Sequence, residues 1–165
     1  MTKPIRNTTL ALVALAMLAI FPAASQAATK IDVKLWDKMG DAEMPTNLKY
    51  GMPGGDHSKA LMGIKLSRDR VPHGKVTFEV TNGSKDNVHE MIVIKLDPVG
   101  KPLAYIDDQE RVDEEKVNDR GEVSELDPGK SGTLTLDLDA GDYLLICNVP
   151  GHFAAGMWSE LKVTQ

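Results

Sequence analysis

Residues 143–163 read YLLICNVPGHFAAGMWSELKV, two apolar runs joined by a turn-rich loop. Tyr143 to Cys147 has the apolar density of a buried strand, and Trp158 to Val163 reads as a second strand. Between them lies a loop with turn residues at Pro150–Gly151 and again at Gly156. The loop and its ends carry a thiol, an imidazole and a thioether: Cys147, His152 five positions on, and Met157 five beyond that. Five residues of extended chain reach about 17 Å. For one ion to touch both the sulfur and the ring, the loop must fold back on itself, and its turn residues allow that.

Cys147 is the single cysteine of the 165 residues, so the compartment matters. The N-terminus, MTKPIRNTTLALVALAMLAIFPAASQA, has Lys3 and Arg6 ahead of an apolar run from Leu10 to Phe21. Small residues follow, with Ser25 and Ala27 at the −3 and −1 positions of a cleavage site. That run is shorter than the roughly 20 residues a membrane-spanning helix requires. The expectation is a cleaved signal peptide over 1–27, export to the periplasm and no membrane insertion afterwards. An unpaired thiol in an oxidising compartment is either buried and inert or occupied by something.

Removing residues 1–27 takes two of the 19 basic residues and none of the 24 acidic ones, leaving 17 against 24 and a net charge of −7. That balance disfavours nucleic acid and anionic membranes as partners. The remaining residues, 28–165, suffice for one domain. The expected product is a monomer.

Strands are expected at KIDVKLW, where Ile31, Val33 and Leu35 alternate, and at Met62–Ser67, Lys75–Asn82 and Val88–Leu96. SGTLTLDLDAGDYLLIC supplies two more, Leu134, Leu136 and Leu138 alternating before the Ala140–Gly141 turn. Residues 28–60 read as an N-terminal extension, irregular beyond the first strand. Residues 97–129 read as an acidic insertion over one sheet edge, with a helical turn or two near Glu110–Asn118. The class is all-β, an antiparallel Greek-key sandwich or barrel.

Thiolate, imidazole and thioether form a soft donor set that favours copper. A second imidazole completes it. His89 opens a strand after the loop NGSKDN, as Cys147 closes one before a loop. If the two strands are neighbours, backbones about 4.8 Å apart bring both side chains to one pole. His89, Cys147 and His152 then make a trigonal set with Met157 as a weak axial ligand, the pattern of a type 1 copper centre.

Across residues 60–96 and 124–164 the chain resembles the cupredoxin family, through VTFEVTN, VHEMIVI and YLLICNVPGHFAAGMWSELKV. The Cys-x4-His-x4-Met spacing is most similar to that of rusticyanins and auracyanins. The resemblance implies one copper per chain, a cupredoxin-like fold and one-electron transfer rather than catalysis. It also implies a redox protein such as a c-type cytochrome as partner, and an apolar docking patch at Val149, Pro150, Phe153, Ala154 and Ala155. Where family members often carry Asn or Ser after the first histidine ligand, this chain has Glu90. The Met- and His-bearing segment before the domain is similar to that of exported copper-stress cupredoxins. An alternative role is therefore copper tolerance, by sequestering, oxidising or delivering the metal. A second site at Met52, His57 and Met62, with Met39 and Met44 nearby, stands beside the plainer reading of these methionines as core filler. DDQERVDEE, Asp107 to Glu115, is a solvated face or a surface that steers a basic partner. Multicopper oxidases and nitrite reductases need more histidines than the four present here.

Overall fold

A computed structural model describes residues 27–38 and 57–165. Of residues 1–27, expected from the sequence to be a signal peptide, only the last lies among the described residues, and Met39, Met44 and Met52 lie outside them. Eleven strands are present among the described residues: β1 (Thr29–Asp37), β2 (Met62–Leu66), β3 (Arg70–Pro72), β4 (Gly74–Asn82), β5 (His89–Lys95), β6 (Tyr105–Ile106), β7 (Arg111–Val112), β8 (Asp119–Leu126), β9 (Ser131–Leu138), β10 (Gly141–Ile146) and β11 (Trp158–Thr164). They form a four-stranded sheet in the order β2-β1-β4-β9, a five-stranded sheet in the order β3-β11-β10-β5-β8, and the small hairpin β6-β7. The first two sheets face one another. Ile31, Val33, Leu35, Val76, Phe78 and Val80 from one meet Met91, Val93, Tyr143, Leu145, Leu161 and Val163 from the other in a single buried cluster.

The all-β sandwich expected from the sequence is what forms, although not every pairing is antiparallel. β1 runs parallel to β4, with Thr29 opposite Val76, and β3 runs parallel to β11. Residues 29–37, assigned from sequence to an extension, are an inner strand between β2 and β4. The alternation of Ile31, Val33 and Leu35 toward the core, with exposed neighbours, is the period-2 signature that builds it.

The 97–129 segment also departs from expectation. Its last part is β8, the edge strand paired to β5. Its middle part covers the outer face of the five-stranded sheet, where Val112, Tyr105, Leu103 and Val117 meet Ile92, Ile94, Leu144 and Ile146. This explains why β5 is buried on both faces: Met91 and Val93 face the other sheet, while Ile92 and Ile94 face the segment. Its helical turns are short 3-10 turns at Asp107–Gln109 and Glu114–Lys116. Among the described residues no helix is long and apolar enough to cross a membrane.

Candidate metal centre

β10 and β5 are neighbours, with Ile146 opposite Ile92, and β10 continues into the ligand loop as β5 begins at His89. The adjacency required by the sequence reading is therefore present. One ligand atom from each of His89, Cys147 and His152 lies within 4.8 Å of the other two. The two Nδ1 atoms are 3.2 Å apart, and the Cys147 Sγ lies 3.3 Å from the His152 Nδ1. All three residues are buried, His152 retaining only 8% exposure.

The loop is closed by its own backbone. The Cys147 N–H donates to the Met157 carbonyl at 3.0 Å, extending the β10–β11 ladder by one pair. The His152 N–H donates to the Val149 carbonyl at 3.0 Å, around Pro150 and a Gly151 at φ +80°. Proline then glycine at the centre is the sequence of a type II turn, whose third residue needs a positive φ. Gly156, at φ +97°, turns the chain again just before Met157. Met157 is fully buried, and its N–H donates to the His152 carbonyl at 3.0 Å.

His89 is placed by longer-range contacts. The preceding loop is built on the fully buried Asn82, whose Nδ2 donates to the Asn87 and Leu126 carbonyls, both at 2.8 Å. Its Oδ1 accepts the Ser84 N–H at 2.9 Å. The β5–β8 register shifts between His89 and Met91, an irregularity of the kind that re-aims a side chain. The His89 Nε2 lies 2.9 Å from an Asp37 carboxylate oxygen at the end of β1.

Glu90, at the position where the resemblance led to an expectation of Asn or Ser, links β5 to the ligand loop. Its N–H donates to the Cys147 Sγ at 3.4 Å, and its Oε1 accepts the Asn148 N–H at 3.0 Å. Asn148, fully buried, ties the loop to the 105–116 hairpin: its Oδ1 accepts the Val112 N–H at 2.6 Å, and its Nδ2 donates to the Val112 carbonyl and the Glu114 carboxylate. The Gly151 N–H donates to the Glu110 carbonyl at 2.7 Å.

Burial governs the electrostatics. It pushes the Cys147 thiol up to about 12 and, with the neighbouring His89, pushes His152 down to about 4. His89 is lowered by burial against the opposing pull of Asp37. Burial raises Glu90 to about 7, opposed by the Asn148 N–H. The imidazoles are thus kept in the neutral form that binds metal, and one thiol proton must leave. A sulfur and two ring nitrogens converge among buried residues, and Met157, also buried, closes the same loop. The donor set fits copper.

Not every sequence expectation survives. Phe153, Ala154 and Ala155, read as a docking patch, are buried to 1% exposure or less. Phe153 belongs to the cluster beneath the 97–118 segment and stacks near Tyr105, with ring centroids 6.4 Å apart. Only Pro150 is exposed, and Val149 is half-buried. Of the second-site candidates, Met62 is fully buried in the main core, His57 opens a 3-10 turn, and Met52 lies outside the described residues. His73 is exposed between β3 and β4. Sequence reasoning missed Asp37, Asn82 and Asn148. Asn148, next to the cysteine, had a local cue in its position, whereas Asp37 had none.

Residues 111–165 match the family model described as the Sulfocyanin (SoxE) domain. No curated protein matches the chain. Among solved structures, reduced auracyanin from the photosynthetic bacterium Roseiflexus castenholzii is 21% identical, over 85% of this chain and 100% of that one, with a TM-score of 0.50. Rusticyanin from Thiobacillus ferrooxidans is 16% identical over 85% of this chain and 79% of that one, with a TM-score of 0.55. Auracyanin B is 19% identical over 87% and 94%, with a TM-score of 0.50. With strands, sheet order and ligand loop in place, the chain has the cupredoxin fold, similar to that of rusticyanin and auracyanin.

Proposed function

We propose that the protein is an exported, monomeric type 1 copper protein that carries single electrons in the periplasm, with residues 1–27 as its signal and 28–165 as its one domain. The observation that carries this reading is the convergence of the His89, Cys147 and His152 donor atoms within 4.8 Å, from positions far apart in the chain. Copper held there supplies a one-electron Cu(II)/Cu(I) couple. Cys147 would supply the thiolate, the Nδ1 atoms of His89 and His152 the nitrogens, and Met157 a weakly bound thioether.

The surrounding chain suits this task. Closure of the loop by the Cys147–Met157 and His152–Val149 backbone bonds fixes the donors, so a change of charge requires little rearrangement. The Glu90 N–H directed at the sulfur drains negative charge from it, which favours the reduced state. Burial excludes water. Four protein donors leave no position for a substrate, which supports a carrier over an enzyme. The exposed Pro150, beside the buried His152, lies in a loop bonded to the acidic 105–116 hairpin. A redox protein with a basic face, such as a c-type cytochrome, suits that surface.

The test is titration of purified protein with cupric salt, followed by visible spectroscopy and metal analysis. One copper per chain and an intense thiolate-to-copper absorption are expected. Cys147→Ser and His152→Ala abolish that absorption, whereas Met157→Gln keeps a copper centre with an altered potential. A colourless wild-type protein overturns the reading. More than one tightly bound copper, lost on Met52 and His57 substitution, favours copper tolerance instead.

A further inference from the structure

The end of β1 touches the candidate centre from outside the donor set. Asp37 and His89, 52 positions apart, bring Oδ2 and Nε2 to 2.9 Å, with side chains 10% and 0% exposed. Nδ1 is the His89 nitrogen that faces His152, so Nε2 is the opposite edge of the same ring. A neutral imidazole carries one N–H, and an ionised carboxylate only accepts. Hydrogen bonding to Asp37 therefore places that proton on Nε2 and leaves the Nδ1 lone pair facing the other donors.

The position of Asp37 is fixed from both halves of the site. It pairs with Met62 across the β1–β2 ladder, and the adjacent Lys38 N–H donates to the Leu61 carbonyl at 2.7 Å. The Leu61 N–H in turn donates to the Ala155 carbonyl, in the ligand loop, at 3.3 Å. Two residues before Asp37, the Leu35 carbonyl accepts the Gly83 N–H at 2.8 Å, from the loop that leads to His89. The strand tip is thus bonded to the segments bearing both histidines.

We propose that Asp37 is a positioning residue for His89: it holds the imidazole in the Nε2–H tautomer, with Nδ1 aimed at the site, and its negative charge favours the oxidised state of a metal bound there. The second half rests on the copper reading above, and the first does not. The added charge of Cu(II) over Cu(I) is stabilised by a nearby carboxylate, so Asp37 lowers the potential.

Three variants separate these effects. Asp37→Asn preserves size and a carbonyl acceptor but removes the charge. Asp37→Ala removes both, and Asp37→Glu retains charge. In the metal-free protein, nitrogen NMR of the His89 ring reads the tautomer directly. Wild type and Asp37→Asn should show the Nε2–H form, and Asp37→Ala a mixture. In the copper-loaded protein, Asp37→Asn should shift the Cu(I)/Cu(II) ratio about tenfold toward Cu(I) at fixed applied potential, ~59 mV for one electron. Asp37→Glu should return toward wild type. An unchanged tautomer in Asp37→Ala overturns the positioning role, and an unchanged potential in Asp37→Asn overturns the electrostatic one. If wild-type protein takes up no copper, the copper reading and the charge effect on it both fail, while the metal-free NMR still decides the positioning role.

Discussion

The two sides of the candidate centre are held in different ways. Cys147, His152 and Met157 fall within eleven residues, and bonds among those residues close the loop: Cys147 to Met157, His152 to Val149, Ala155 to Gly151 and Met157 to His152. His89 depends on distant chain. Asn82 anchors its loop to Leu126, Gly83 is bonded to Leu35, and Asp37 holds the outer edge of its ring. The loop is a local device whose chemistry is written into one stretch of sequence. The histidine side exists only once β1, β5 and β8 have come together. Changes in the loop should therefore register first in metal chemistry, and changes at Asn82, which anchors the loop leading to His89, first in stability.

The largest expected effect concerns the loop and pH. In the metal-free protein the Cys147 thiol stands near 12, whereas His152 has been pushed to about 4 and His89 is lowered as well. Between pH 5 and 8 the thiol keeps its proton and His152 is neutral, so copper binding displaces the sulfur proton, together with one from any His89 still protonated at the acid end. Binding is favoured as protons become scarce, hence affinity rises by at least about tenfold per pH unit and at least about a thousandfold over that window. Competition with a chelator at fixed pH measures the slope. A flat profile would mean that the thiol is already ionised, and burial would then not be what sets its proton affinity.

Next is the support behind His89. Asn82→Ala removes a buried side chain with two donated bonds and one accepted bond, leaving the Asn87 and Leu126 carbonyls and the Ser84 N–H without it. At about 1–3 kcal/mol for each buried group left unsatisfied, and with some re-satisfied by water, a loss of about 3 kcal/mol is expected in denaturant unfolding of the metal-free protein. A change under ~1 kcal/mol would show that water replaces the amide readily, and the histidine side would be less dependent on distant contacts than described here.

This contrast also explains what could be read from the chain. The ligand loop was legible because its donors, spacing and turn residues are contiguous, whereas the pairing of β5 with β10 stood only as the condition under which His89 and Cys147 could meet. β1 was legible as a strand from Ile31, Val33 and Leu35, but not as an inner one: alternation reveals the buried face and says nothing about neighbours. β8 was missed because its sequence, DRGEVSEL, buries only Val123 and lies at a sheet edge. The docking patch failed for a related reason. Phe153 is apolar both as a surface contact and as core, and only the fold shows that residues 97–118 lie over it. Asp37 ends a strand in KIDVKLWD like many exposed acids, and its role appears only when 52 positions of separation close to 2.9 Å.

The smallest expected effect returns to the loop. Gly151 sits at φ +80°, where a side chain costs about 1–2 kcal/mol. Its N–H is bonded to the Glu110 carbonyl and its carbonyl accepts the Ala155 N–H, so the backbone is held on both sides and has little room to relax. Gly151→Ala should destabilise the protein by about 1 kcal/mol. Gly151→Asn should cost less, since Asn tolerates the left-handed region better than other side chains. His152 is the next residue, and the small loss of stability should come with a shift in the visible spectrum of copper-loaded protein that is disproportionate to it. Asn82→Ala should show the reverse ratio, a large loss of stability with a spectrum close to wild type in the molecules that remain folded. If the two variants moved spectrum and stability in the same proportion, the loop would not be a separate mechanical unit, and the division between a locally held and a remotely held side of the centre would fail.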